Sequence, residues 1–216
     1  MNIINKKFYI FAFFAILCGA CQAGQSVDDT LLSIKSGDVR GIETGLRGGL
    51  DVNFADEVGN TLLMLAARSG YPDSVALLLN AGAKVYSRNT FGDTAVLLAT
   101  FSGNEKIVDL LLSHGASIEA NPKGWTPLHY AAFAGHPALV EKFIKLGTNI
   151  DSPTNNGLTP LMVASMNGHI AVVKILLLHH ANIQLRDENG KTAIAHALAH
   201  KNTDIAMLLN EAQVKR

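Results

Sequence analysis

The chain of 216 residues is short of several things. It has two cysteines, Cys18 and Cys21, both within the first 21 residues. The remainder has none, which excludes a disulfide framework or a cysteine-ligated metal centre there. Neither sign of charge dominates: eighteen basic residues stand against eighteen acidic ones, with no basic run. Nucleic acid is therefore not an expected partner. Charged residues are only 17% and apolar residues 48%, which excludes an intrinsically disordered chain. No nucleophile elbow surrounds a serine and no phosphate-binding glycine loop precedes a helix, so neither catalysis nor a cofactor is expected.

Long apolar runs are scarce too. One, Phe8 to Leu17, covers ten residues, which is too few to span a bilayer. Lys6 and Lys7 precede it, and the small residues Cys18, Gly19, Ala20 and Cys21 follow. This is the layout of a secretory signal peptide over residues 1–23. Two processing routes fit. A signal peptidase would cut after Ala20 or Ala23, or Gly19-Ala20-Cys21 would act as the end of a bacterial lipobox and make Cys21 a lipid anchor. The lipobox match is imperfect, because Cys18 stands where leucine is usual. Gln22 follows in place of the aspartate that retains such proteins at the inner membrane, so outer-membrane sorting is expected on that route. Removal of the segment leaves sixteen basic residues against eighteen acidic ones.

Glycine and threonine, by contrast, are plentiful and periodic. Thr61, Thr94, Thr126, Thr159 and Thr192 are spaced by 33, 32, 33 and 33 residues. A glycine stands two residues before each, and further glycines recur at Gly70, Gly103, Gly135, Gly168 and at Gly82, Gly115, Gly147. The fourth copy reads GWTPLHYAAFAGH from Gly124 to His136. Thr126 is placed to cap a helix, Pro127 suits its first position, Leu128, Ala131 and Ala132 give it an apolar face, and Gly135 ends it. A second helix follows, as in Ile170 to His179. Neither helix is long enough to be stable alone, so Val172, Val173, Ile175, Leu176 and Leu177 are expected to bury against neighbouring copies. The one-residue gap of the fourth copy is placed in the loop Asn121-Pro122-Lys123. His180 replaces a glycine and Lys201 another.

These residues resemble the ankyrin repeat, whose pattern D-x-x-G-x-T-P-L-H-x-A-A-x-x-G-H appears nearly whole in 121–148 and 154–181 and recognisably in 56–83 and 89–116. The resemblance implies an all-α ankyrin-repeat solenoid of helix-turn-helix units joined by β-hairpin-like loops. It covers 26–213 as about six repeats, 26–56, 57–89, 90–121, 122–154, 155–187 and 188–213, the two outermost being caps. Together with the leader it implies an exported bacterial protein of the periplasm, touching a membrane only through a lipid anchor at Cys21.

The resemblance also says where such arrays bind: at the loop tips and on the concave side of the first helices. On those rows this chain carries Phe91, Phe101, Trp125, Phe133, Leu158 and Met166, with Tyr130 beside Phe133 as support. Packing within the stack does not require these to be apolar, and a contiguous exposed apolar stripe marks an interaction site. The expected partner is another protein, and the expected role a scaffold, adaptor or inhibitor. Exported relatives linked to oxidative-stress protection, or acting as immunity proteins against toxins, are alternatives that the resemblance alone supplies. His129, His136 and His169 match structural positions of the pattern. His196 and His200 share a helix face, and with His179 and His180 they define a weaker metal- or haem-handling alternative. A zinc site needs three or four ligands, and no acid or cysteine completes one, so no metal is expected.

Overall fold

The computed structural model describes residues 27–118 and 121–214. The leader 1–23 and Cys21 lie outside the described residues. Among the described residues twelve helices form six antiparallel pairs: α1 (27–36) with α2 (Val39–Arg47), α3 (Leu62–Ser69) with α4 (Pro72–Asn80), α5 (Ala95–Phe101) with α6 (Glu105–Ser113), α7 (Pro127–Ala134) with α8 (Pro137–Lys145), α9 (Pro160–Met166) with α10 (Ile170–Leu178), and α11 (Ala193–Ala199) with α12 (Thr203–Val214). The odd-numbered helices from α3 to α11 pack one on the next as an inner row. The even-numbered helices form an outer row, where α4 packs on both α2 and α6, and α10 on both α8 and α12. No helix is long and apolar enough to cross a membrane among the described residues. The fold is the expected all-α solenoid.

Caps set the helix starts. The hydroxyls of Thr61, Thr126, Thr159 and Thr192 each accept the N–H of the residue three places on, which satisfies a donor that the helix itself cannot. Thr94 departs from the series. It occupies the cap position of α5 but makes no cap bond, and its hydroxyl is buried without a partner.

Stacking supplies the core. Val172, Val173 and Leu176 of α10 are fully buried, whereas Ile175 and Leu177 are half-buried against that core. Phe143 of α8 is the largest fully buried side chain. Polar side chains then stitch copy to copy at one recurring place, the residue after Gly103, Gly135, Gly168 and, in the last copy, Lys201. His136 donates from Nε2 to the Phe101 carbonyl (3.0 Å), and His169 to the Phe133 carbonyl (2.8 Å). Asn104 and Asn202 reach back in the same way, to the carbonyls of Gly70 and of Ser165 and Met166. Gly135 serves this contact twice: it adopts φ +74° to end α7, and a Cβ there would lie 2.4 Å from the His169 ring.

The loop tips are built alike. Asp56, Asn89, Asn121 and Asp187 each accept, through one side-chain oxygen, the N–H groups two and four residues on. Neighbouring tips are joined by a backbone rung: Thr90 N–H to Val58 O, Asn155 N–H to Lys123 O, Glu188 N–H to Asn156 O. The corresponding residue between the third and fourth tips is Pro122, which has no N–H to give. That junction therefore lacks its rung. It is also where the outer helices α6 and α8 fail to pack as their neighbours do, joined there by the Lys142–Asp109 ion pair. The missing residue of the fourth copy is not in the tip, as first placed, since Asn121 to Thr126 carries the same turn as the others. Asn89 lies seven positions after Gly82, but Asn121 only six after Gly115, so the shortening falls in 116–120.

The ends are capped differently. In the first copy, α2 lies so close to α1 that a Cβ on Gly45 would sit 1.9 Å from Thr30 Oγ1, and one on Gly41 2.0 Å from Ser33 Oγ. At the other end Lys201 and, one copy earlier, His180 hold φ of 63° and 64° in the left-handed region.

Candidate functional site

The junction between the third and fourth copies opens into a cavity of about 420 Å³. The third tip brings Phe91 and Asp93, α5 ends in Phe101, the fourth tip brings Asn121, Lys123 and Trp125, and α7 presents Tyr130 and Phe133 on one face. Phe91, Phe101 and Phe133 are 55%, 42% and 40% exposed, high for phenylalanine, while Trp125 and Tyr130 are half-buried against the core. The Phe101 and Phe133 rings stack across the junction at 6.1 Å between centroids. Trp125 meets Tyr130 and Phe133 edge to face at 5.5 and 5.7 Å. Edge-to-face pairs at these distances place ring edges against ring faces, which is attractive beyond the area buried.

One polar cluster underlies the rings. The Tyr130 hydroxyl donates to Asp93 Oδ1 at 2.5 Å, and Asn121 Nδ2 donates to the same oxygen at 3.0 Å. Burial, with the adjacent Asp93 carboxylate accepting its proton, holds the Tyr130 phenol well above its ordinary pKa, so it stays a donor. These two bonds cross the junction that Pro122 leaves without a backbone rung.

Five of the seven residues singled out from the sequence thus line one cavity: Phe91, Phe101, Trp125, Tyr130 and Phe133. Leu158 and Met166 do not. Leu158 is half-buried against the core, and its carbonyl accepts from His129 of the copy before. Met166 is half-buried at the end of α9, where its carbonyl accepts from Asn202. The apolar stripe therefore ends at the fourth copy. Asp93 and Asn121 were not legible as parts of a site. A signal was there: the position of Tyr130 is held by Leu65, Leu98 and Val163 in other copies and by His196 in the last. Where it is polar, it reaches a loop tip, since His196 Nε2 bonds Asp187 Oδ2 at 2.9 Å.

The histidines have separate tasks. His129 is fully buried; its Nδ1 accepts the Thr126 N–H, and its Nε2 donates to the Leu158 carbonyl. Burial pushes its pKa down to about 4, against hydrogen bonds to the backbone of Leu158 and Ser152 that act the other way. His196 is buried against Asp187. Burial acts to raise the Asp187 pKa, but hydrogen bonds from the Lys191 N–H, His196 and the Asn189 N–H outweigh it and hold the pKa below the ordinary value. His200 turns to the His196 carbonyl of its own helix, and His179 pairs with Glu141. The four side chains of the metal- or haem-handling alternative thus have different surroundings, and no group of three ligand-type residues converges among the described residues.

The family model described as ankyrin repeats (3 copies) matches residues 63–154 and again 131–216. The chain belongs to the ankyrin-repeat family. Members generally act as modules that bind other proteins, without chemistry of their own. No curated protein sequence matches the chain.

Proposed function

We propose that this protein is an exported binding scaffold that captures another protein in the aromatic cavity between its third and fourth repeats, acting as an adaptor or inhibitor. One observation carries the reading: three phenylalanines stand 40% or more exposed around a single opening, on the loop tips and inner helices through which the resemblance implies such arrays bind. Nothing in the stacking needs them there. Large rings in a half-formed pocket are the usual anchors of an interface, and a few such side chains carry most of the binding energy.

The signal-peptide layout of residues 1–23 supports work in the periplasm, with Cys21 as the membrane anchor if it is lipidated. Mass spectrometry of the mature N-terminus tests this. A chain starting at Cys21 or Gly24 without lipid supports plain export; an acylated Cys21 supports the lipoprotein; an intact Met1 refutes both.

The binding test is capture from an envelope extract with Phe101→Ser and Phe133→Ser as controls. Loss of an anchor of this kind costs about 2 kcal/mol of binding, roughly a thirtyfold weakening. The rings stack on each other and Phe133 meets Trp125, so the variants should melt somewhat lower, and capture is compared well below each midpoint. Undiminished capture by the double variant would refute the site.

A further inference from the structure

We propose that the group entering this cavity is an arginine side chain of the partner, its guanidinium lying on the aromatic wall and donating to Asp93. The inference rests on the reading of the cavity as the binding site and adds the chemistry of what fills it. The walls are rings, whose faces carry negative electrostatic potential and attract cations. Phe101 and Phe133, stacked at 6.1 Å, are too close to admit a planar group between them, which would need about 7 Å, so they act as one wall. Of the polar side chains lining the cavity, Asp93 is the carboxylate, alongside Asn121, Lys123 and Tyr130. Tyr130 and Asn121 both donate to Oδ1 of Asp93, which fixes its orientation and leaves Oδ2 to accept from an incoming donor.

Charge decides among occupants. An apolar side chain would strip water from Asp93 and return no donor, which a carboxylate does not tolerate cheaply. An anion would meet like charge. A lysine ammonium would satisfy Asp93 but is compact and strongly hydrated. A guanidinium is planar, weakly hydrated, stacks on rings, and keeps its donors in the plane of a facing carboxylate. Lys123, exposed and itself part of the lining, limits the cavity to one cation at Asp93 and favours an acidic residue next to the arginine.

Trp125 is the sole tryptophan, so its fluorescence reports the cavity directly. N-acetylarginine amide, N-acetyllysine amide and N-acetylnorleucine amide are titrated into the full chain. Arginine should give a saturable change at lower concentration than lysine, and norleucine should be about tenfold weaker or worse, the worth of a charge-assisted hydrogen bond. Asp93→Asn, which keeps an acceptor for Tyr130, should weaken the arginine response about tenfold and tighten norleucine, since no carboxylate is then desolvated. Phe91→Leu, a substitution at an exposed tip, should weaken arginine while sparing norleucine. Equal binding of arginine and norleucine, no effect of Asp93→Asn or Phe91→Leu, or no saturable response to arginine overturns the assignment. If Phe101→Ser still abolishes capture of the natural partner, only the arginine assignment falls; if capture survives, the site itself falls.

Discussion

Acidification should loosen this array through His129, and the size of the effect follows from its burial. The imidazole is fully enclosed, so a second proton would place a charge where water cannot reach it, and it would displace the backbone N–H that Nδ1 accepts. Its pKa is lowered from 6.5 to about 4 in the folded chain. As pH falls below 6.5 the unfolded chain takes up a proton that the folded chain refuses, so stability is present in full above pH 6.5 and is lost down to about 4. At about 1.4 kcal/mol per tenfold change in proton affinity, the loss is on the order of 3 kcal/mol. That is a large part of the 5–15 kcal/mol a domain of ordinary stability possesses. The assay is the urea midpoint from pH 7.5 to 4.5 for the natural chain and for His129→Met. Methionine is chosen because Met64 and Met162 hold the same position in two other copies. The variant should lose stability at neutral pH but show a flatter pH profile. Parallel profiles would refute the idea that His129 is folded neutral. Asp187 does not confuse the comparison: its lowered pKa removes stability only as pH falls below the ordinary aspartate value of 3.8.

Three further outcomes are expected. His180→Gly and Lys201→Gly should each stabilise by about 0.5–1 kcal/mol in thermal unfolding, since both relieve a left-handed backbone, less the extra freedom glycine has when unfolded. Thr159→Val should cost about 1 kcal/mol for its lost cap, whereas Thr94→Val should be neutral or stabilising, because it removes a buried hydroxyl that caps nothing; equal losses in urea melts would contradict this. Gly45→Ala should destabilise by about 1–3 kcal/mol despite its better helix propensity, as its Cβ would run into Thr30, with faster amide exchange confined first to α1 and α2.

Most of the fold was legible because each repeat restates its own boundaries. Four of the five threonines cap as their spacing implies, and the glycine-histidine steps end one helix and tie it to the next. What was not legible depends on angles and neighbours that no residue type announces. Thr94 is the same residue as Thr159 at the same place in its copy, yet its hydroxyl caps nothing. Leu158 and Met166 sit on the rows where such arrays bind, but how far each side chain turns into the stack depends on the copies beside it. Asp93 was overlooked because its partner, Tyr130, lies 37 residues away across a copy boundary. The shortened fourth copy was misplaced by a few residues, because a missing residue in a loop leaves the turn beyond it intact.

Pro122 has a consequence for how the array holds together. In a linear stack, cooperativity passes only between nearest neighbours. At the junctions from the fourth copy onward, and between the second and third, part of that coupling runs through the main chain of the tips, which substitution of side chains hardly alters. Between the third and fourth copies it runs through the phenol of Tyr130, the amide of Asn121 and the carboxylate of Asp93. At this junction the link between tips is thus written in side chains, and a ligand gripping both sides of the cavity would reinforce it.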